Sequence, residues 1–211
     1  LKEDNRIRYF RQPYNIGPTA NFEFIKDKAS GEYFMWHSDD DFIEIDYIEK
    51  CVNELERDHS LVLVSGLTGF KEEPLGKIKY YGNIFNANSN FKIFRIVSYL
   101  NNVADNSVFY GLYRLSELNG LYMPNLLAGD WIWLVQVLLK GKSKILSNTL
   151  MIRTYGDSSS ASFERIVSLI SAPKWHAKFP YTAIILNFIK FFYNKHFIIS
   201  IISLIVLTYK T

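Results

Sequence analysis

The sequence is poor in several features, and each scarcity narrows the class of protein. Its 211 residues include one cysteine, Cys51, so no internal disulfide can form. That cysteine lies in a helical pattern, which predicts a buried, inert thiol and suits a reducing compartment. The formal net charge is only +3, with the basic residues scattered except near the C-terminus. Nucleic-acid-binding proteins commonly carry a strong excess of clustered basic residues, which this sequence does not show, so we expect no nucleic-acid partner.

Long apolar runs are also scarce. The apolar run Phe197 to Leu207 has eleven residues, well short of the roughly 20 that a membrane-spanning helix requires. From Pro173 onward the chain carries five lysines and no carboxylate side chain. This composition predicts C-terminal helices over residues 173–211 that lie in a membrane interface. The alternative is a pair of helices packed on the core or on a partner subunit.

What is present indicates a folded domain. Hydrophobic residues make up 48% of the chain and aromatic residues 16%, which excludes a disordered chain. In the stretch from Gly31 to Phe42, a short apolar segment leads into three consecutive aspartates, Asp39, Asp40 and Asp41. Adjacent carboxylates repel one another, and a divalent cation with oxygen ligands commonly offsets that repulsion. The alternative is an exposed acidic loop that caps the helix predicted from about Ile45.

The hydrophobic pattern predicts alternating strands and helices. Three strands are expected: one at Arg6 to Phe10, one in the apolar segment directly before the aspartates, and one at Leu61 to Ser65. Helices are expected from Pro18 to about Ala29 and from Ile45 to Arg57. This alternation favours a parallel α/β architecture.

The second half of the chain continues the pattern. Thr68 to Asn90 is predicted to be a long loop of the kind that covers a site. Further predictions are a helix at 91–100, a strand at 108–114, a short helix at 116–119, short strands at 144–146 and 150–153, and a polar loop at 157–162. Gly129-Asp130 precedes Trp131 to Lys140, which is apolar nearly all round and is predicted to be a buried helix. From the residues alone, Asp130 could be the N-cap of that helix or a carboxylate that takes part in chemistry.

Several motifs together resemble the middle of a family 2 glycosyltransferase, over about Asp4 to Arg153. The N-terminal motifs are Arg11, Asn15-Ile16-Gly17, Asn21, Ala29, Gly31-Glu32-Tyr33, the aspartate cluster, Asp46-Tyr47-Ile48 and Leu55. The later motifs are Tyr110-Gly111-Leu112-Tyr113-Arg114, Gly129-Asp130-Trp131 and Gly141-Lys142.

The resemblance implies a fold and a function. The expected fold is α/β of the GT-A type, a Rossmann-like and mostly parallel sheet flanked by helices. Residues 1–172 would form the catalytic domain, and 173–211 the membrane-associating extension. The expected activity is inverting transfer of a sugar from a nucleoside-diphosphate sugar to a glycan or lipid-linked acceptor. It would take place at the cytoplasmic face of the membrane, on a peripheral or monotopic protein.

The resemblance also assigns roles to residues. Sugar transfer needs a clamp on the leaving diphosphate, a base for the acceptor hydroxyl, and alignment of the two. Asp130 would be the catalytic base. The remaining residues fall into three groups: Asp39, Asp40 and Asp41 for Mn²⁺ or Mg²⁺; Asn15, Gly17, Asn21, Ser38 and Arg153 for the nucleotide sugar and its phosphates; Tyr110, Gly111, Arg114 and Trp131 for the acceptor.

The sequence departs from the family pattern in three places. Ser38 stands where the first acid of the metal motif is usual, and Tyr155-Gly156 stands where a histidine is expected. The family's opening strand, first helix and acidic base-binding loop have no counterpart, so we expect an N-terminally truncated domain with little activity alone. Two alternatives follow: an inactive or accessory membrane-associated fragment, and a metal-dependent nucleotidyl or phosphoryl transferase. The latter would need a second acidic cluster.

Overall fold

A computed structural model describes residues 4–71, 76–85, 87–154 and 162–210 of the protein. The strands are β1 Tyr33–Phe34, β2 Phe42–Ile43, β3 Leu61–Lys71, β4 Tyr80–Tyr81, β5 Leu112–Arg114 and β6 Lys142–Thr154. The helices are α1 Pro18–Lys28, α2 Tyr47–Arg57, α3 Lys92–Asn102, α4 Gly129–Lys140, α5 Phe163–Leu169, α6 Trp175–Lys178, α7 Pro180–Phe192 and α8 Phe197–Lys210. Two 3₁₀ turns, Ser107–Tyr110 and Leu115–Leu118, flank β5.

The described strands form one sheet in the order β1-β5-β3-β6-β2, with β4 paired to β3 off this path. The predicted α/β class, a sheet flanked by helices, is confirmed. The sheet is mixed, however, and not mostly parallel as we expected. Only β3 and β6 are parallel, and the other pairings are antiparallel. A parallel neighbour requires a long crossover connection, and the chain between β3 and β6 supplies one that contains α3 and α4.

β3 is the central strand, and it is longer than its apolar run predicted. It continues from Ser65 to Lys71 and is buried along nearly its whole length. Gly66 permits this burial, because a Cβ there would lie 2.6 Å from the Thr149 carbonyl oxygen and 2.7 Å from the Tyr47 ring. The first part of the predicted loop at 68–90 is therefore strand, and β4 turns back antiparallel onto it; residues 72–75 and 86 lie outside the described residues.

Three other strand predictions were wrong in detail. The segment Arg6 to Phe10 has no strand partner among the described residues, and the side chains of Tyr9 and Phe10 are exposed. The strand predicted at 108–114 is a 3₁₀ turn followed by the short β5. The two short strands predicted at 144–146 and 150–153 are one strand, β6, which pairs with β3 on both sides of an irregularity at 147–149. Of the polar loop predicted at 157–162, residues 157–161 lie outside the described residues.

The core is centred on the aromatic side chain of Trp36. Its ring stacks on Phe109 with centroids 4.6 Å apart, and it packs edge-on against Trp133 of α4 at 5.4 Å. α4 is buried as predicted. Cys51 is buried in α2, and burial raises the pKa of its thiol to about 12, in keeping with an inert residue.

The C-terminal helices pack on this core. Phe188 and Phe192 of α7 and Ile199 and Leu207 of α8 belong to the same apolar cluster as Trp36, and α8 lies against α3. The side-chain amide of Asn187 donates to the Leu127 carbonyl at 3.1 Å, which ties α7 to the loop before α4. Among the described helices, none is long and apolar enough to cross a membrane.

Candidate active site

A cavity of about 460 Å³ brings together the carboxyl of Asp130, the guanidinium of Arg153 and the ring of Tyr110. Asp105 and Asn106 form another part of its wall. The five residues come from the 3₁₀ turn, the segment before it, the start of α4 and the end of β6. Asp130 and Arg153 are distant in sequence from residues 105–110, so the site forms only when the chain folds.

A tight turn places Asp130 in the first turn of α4. Ala128 has a left-handed backbone with φ of 60°. A Cβ on Gly129 would lie 2.2 Å from the Pro124 carbonyl oxygen, so only glycine fits there. Asp130 is thus the second residue of α4 and does not occupy the N-cap position. Its carboxyl is partly buried and faces the cavity.

A buried hydrogen-bond relay orients this carboxyl. The Asn106 side-chain amide donates to Asp130 Oδ2 at 2.6 Å. The hydroxyl of Tyr99, on α3, in turn donates to Asn106 Oδ1 at 2.7 Å, which fixes the orientation of the amide. Asn106 has φ of 52°, a conformation that asparagine tolerates better than most residues.

Burial raises the pKa of Asp130 above its ordinary value of 3.8, and the hydrogen bond from Asn106 partly offsets that rise. A raised pKa makes a carboxylate a stronger proton acceptor. The pKa of Asp130 is therefore shifted in the direction that suits a general base.

The carboxyl of Asp41 is occupied by Arg153. Arg153 Nε donates to Asp41 Oδ2 at 3.0 Å, and both side chains are largely buried. The guanidinium also lies 4.0 Å from the centroid of the Tyr110 ring, an energetically favourable cation–π position. Burial raises the pKa of the Tyr110 hydroxyl, which lies in the combined field of Arg153, Asp130 and Asp41.

The other two aspartates of the predicted metal motif are exposed, and the Ser38 hydroxyl donates to Asp40. Within the described part of the chain, no group of three or more His, Cys, Asp or Glu side chains is arranged to hold a metal ion. Mn²⁺ and Mg²⁺ prefer about six oxygen ligands. The described residues alone do not provide a complete coordination sphere at the aspartates.

The predicted nucleotide residues line two further cavities. Asn15 and Gly17 line a cavity of about 610 Å³ before α1, where Asn15 Oδ1 accepts from the Gly17 amide at 2.9 Å. Asn21 and Ser38 line a cavity of about 380 Å³, which shares Tyr110 with the Asp130 cavity.

Three predicted acceptor residues lie outside the wall of the Asp130 cavity. Arg114 Nη2 donates to the Leu55 carbonyl at 2.8 Å, on the side of the sheet that α2 covers. Gly111 is packed under β3, where a Cβ would lie 2.8 Å from the Val64 carbonyl oxygen. Trp131 packs partly buried against the main core. Of the acceptor set, only Tyr110 is brought to Asp130.

The second wall of the site, formed by Asp105 and Asn106, was not predicted from the sequence. Asp105 accepts from the backbone amides of Ser107 at 2.8 Å and Asn83 at 2.9 Å, which holds the turn that presents Asn106. The run Asp105-Asn106-Ser107 between two apolar segments was the available signal. Its role depends on pairing with α3 and α4, which the local sequence does not show.

The chain is similar in sequence and in structure to known glycosyltransferases. The family model described as glycosyl transferase family 2 matches residues 1–118. An uncharacterized glycosyltransferase of Haemophilus influenzae is 34% identical over 79 residues, which are 37% of this chain and 31% of the relative. The crystal structure of S. aureus TarS 1-349 is similar with a TM-score of 0.46 and 16% identity, over 86% of this chain and 54% of that one. The complex of TarS 1-349 with UDP-GlcNAc is similar with a TM-score of 0.47 and 19% identity, over 76% of this chain and 50% of that one.

The chain spans about a third of the length of the Haemophilus relative and about half of TarS 1-349. The mixed sheet flanked by helices agrees with the GT-A type of fold that the resemblance implied. Since the family model covers more than half of the chain, the protein belongs to glycosyl transferase family 2.

Proposed function

We propose that the protein transfers a sugar from a nucleoside-diphosphate donor to a hydroxyl group of a glycan or lipid-linked acceptor, with inversion at the anomeric carbon. The observation that carries this proposal is the cavity in which Asp130, with its raised pKa and its hydrogen bond from Asn106, faces Arg153 and Tyr110. The acceptor and the reaction type go beyond what family membership shows.

Asp130 is the general base. Its carboxylate accepts the proton of the acceptor hydroxyl as that oxygen attacks the anomeric carbon, and the bond from this carbon to the diphosphate breaks. One displacement inverts the anomeric configuration. Asn106 holds Oδ2 of Asp130 in place throughout, so the other oxygen of the carboxylate is directed to the acceptor.

Arg153 offers positive charge on the donor side of the cavity, beside the aspartates. The Arg153 guanidinium donates to Asp41 through Nε, which leaves its other N–H groups for phosphate oxygens. Mn²⁺ or Mg²⁺ would bind Asp39 or Asp40 together with the diphosphate, and would stabilise the negative charge of the leaving group. A two-metal nucleotidyl transferase would need a second carboxylate cluster, which the described residues do not contain.

The proposed location is the cytoplasmic face of the membrane, with the protein peripheral or monotopic. Two observations support it. No acidic residue follows Glu164, and α8 exposes an apolar stripe of Phe197, Ile198, Ile201, Leu204 and Ile205. A surface of this composition is typical of proteins that bind anionic membranes.

A panel of nucleotide sugars, tested by thermal shift on the full-length protein with and without Mn²⁺, tests the donor assignment. UDP-GlcNAc, present in the TarS 1-349 complex, is a suitable first probe. At least one donor should raise the melting temperature, and more so with Mn²⁺. The double variant Asp39→Asn/Asp40→Asn should lose the Mn²⁺-dependent part, whereas Asp27→Asn, an exposed carboxylate on α1, should keep it. If no nucleotide sugar raises the melting temperature, the alternative of an inactive or accessory protein is favoured instead.

A further inference from the structure

Three cavities adjoin one another between Asp130 and the C-terminal helices. The Asp130 cavity and the cavity before α1 share Pro18, Met123 and Leu169 in their walls. The cavity before α1 shares Ser168 and Ser171 with a third cavity of about 570 Å³, at α5 and α6. We name the third one the α5–α6 cavity. The shared residues place the three cavities next to one another, in a row from the α5–α6 cavity to the proposed base.

The lining of the α5–α6 cavity is mainly apolar and carries two lysines. Val167, Ala172 and Ala177 contribute apolar surface, and the exposed side chains of Lys174 and Lys178 contribute positive charge. Neither lysine is paired in the ion pairs found within the described residues. One carboxylate, Glu164 at the start of α5, also lines the cavity. The site thus combines an apolar surface with two ammonium groups.

The surroundings of this cavity strengthen both features. Glu164 is the single acidic residue between Ser162 and the end of the sequence, so positive charge exceeds negative charge in this segment. Exposed aromatic side chains follow on α6 and at the start of α7: Trp175 at 41%, Phe179 at 61% and Tyr181 at 49% exposure. Aromatic rings of this kind are enriched where a protein meets the headgroup region of a bilayer.

We infer that the α5–α6 cavity binds the phosphate end of a lipid-phosphate-linked acceptor, so that the sugar of this acceptor extends through the cavity before α1 to Asp130. This inference rests on the proposed function and deepens it by choosing the lipid-linked class of acceptor. Lys174 and Lys178 bind the phosphate oxygens, and the apolar wall contacts the first carbons of the lipid. The intermediate cavity, at about 610 Å³, lies within the size range of small-ligand pockets. Asn15 and Gly17, which the resemblance assigned to the nucleotide sugar, line this cavity and would contact the acceptor sugar instead. A soluble polysaccharide would leave the apolar wall without a partner.

Binding of farnesyl diphosphate, measured by isothermal titration calorimetry on the full-length protein, tests the inference without any sugar donor. The wild type should bind this probe more tightly than farnesol or inorganic pyrophosphate. Lys174→Gln/Lys178→Gln should weaken binding about tenfold or more, because two charge-assisted contacts are lost. The matched control Lys190→Gln/Lys195→Gln removes the same charge from α7 and the residues after it, and should bind as the wild type does.

Each other outcome overturns the inference. If the two double lysine variants lose affinity for farnesyl diphosphate equally, the probe is held by general charge attraction. Pyrophosphate bound as tightly as the lipid probe would indicate a simple anion site. Phosphatidylglycerol vesicles that abolish binding of farnesyl diphosphate, with the same dependence on Lys174 and Lys178, would assign these lysines to a bilayer headgroup.

The result is independent of catalysis. Asp130→Asn should leave binding of farnesyl diphosphate unchanged, because this variant leaves the α5–α6 cavity intact. If the probe binds as expected but no nucleotide sugar is used, the proposed function fails and the lipid-phosphate site stands. If a nucleotide sugar is used but farnesyl diphosphate does not bind, the proposed function stands and the lipid-phosphate site fails.

Discussion

The burial that would make Asp130 a stronger base also lowers the stability of the folded protein. Burial raises its pKa in the folded protein, so ionisation is less favourable there than in the unfolded chain. The folded state therefore loses stability as pH rises from the unfolded-state pKa of about 3.9 through the folded-state pKa, and the loss is complete above it.

We predict that Asp130→Asn raises the melting temperature at pH 7, since asparagine carries no charge to bury and its oxygen can still accept from Asn106. The gain should disappear below about pH 4, where the aspartate is protonated in both states. The melting temperatures of the wild type and of Asp130→Asn, followed from pH 3 to pH 8, measure this difference. A variant that is less stable at pH 7 would contradict the burial of a charged Asp130.

Asn106 should tune the basicity of Asp130. Removal of its hydrogen bond to the carboxylate raises the pKa of Asp130 further, so the acid limb of the kcat/KM profile should move to higher pH. Asn106→Gly is the appropriate variant, because glycine accepts the φ of 52° without strain. We expect about a tenfold loss of kcat/KM on the acid side.

Tyr99→Phe provides a second measurement at the same relay. It frees the Asn106 amide without touching Asp130, so it should shift the acid limb in the same direction and by less. A purely structural role for Asn106 would lower kcat/KM equally at every pH, and that result would contradict the relay.

The sequence was most informative about residues whose role is local. Asp130 was singled out because a glycine precedes it and an apolar helix follows it, whereas the roles expected of Tyr110 and Arg153 came from the family resemblance. Arg114 was expected to contact the acceptor, yet it donates to the carbonyl of Leu55, 59 residues away. Asp41 was predicted to bind metal, yet an arginine 112 residues away occupies its carboxyl.

At the scale of elements, helices were predicted better than strands. α2 and α4 begin within two residues of their predicted starts, at Tyr47 and Gly129, because their apolar spacing and end signals are local. The extent of β3 and β6 depends instead on their pairing with each other, which local sequence does not encode. The strand expected at Arg6 to Phe10 has the right pattern but no neighbour among the described residues.

The contact between β5 and β3 requires Gly111. A Cβ there would lie 2.8 Å from both the Val64 carbonyl oxygen and the Leu63 side chain. We predict that Gly111→Ala lowers the free energy of unfolding by about 1–3 kcal/mol, the usual cost of overpacking. Chemical denaturation measures the loss. Gly31→Ala, whose Cβ would approach only the Tyr33 backbone at 3.2 Å or more, should cost less, and equal losses would contradict the packing argument.

At the scale of the whole molecule, α8 has two faces. Ile199 and Leu207 are buried against the protein, whereas Ile201 and Leu204 are more than 40% exposed. This arrangement combines the two hypotheses that the sequence left open, since the inner face packs on the core and the outer face is available to a membrane.

We predict that the protein co-sediments with vesicles that contain phosphatidylglycerol, and less with purely zwitterionic ones. Ile201→Asp/Leu204→Asp should abolish most of this binding. The control Ile7→Asp/Ile84→Asp adds the same two charges at other exposed isoleucines and should keep it. If both pairs behave alike, α8 is not the membrane-binding surface.

The most direct test of the account is sugar transfer by Asp130→Asn in the full-length protein, with Asp27→Asn as the control. Once a donor and an acceptor are identified, transfer by Asp130→Asn should fall by about 10²–10⁴-fold, the usual contribution of a general base. Donor binding, followed by thermal shift, should be unchanged, and Asp27→Asn should transfer normally. Full transfer by Asp130→Asn would contradict the assignment of Asp130 as the base.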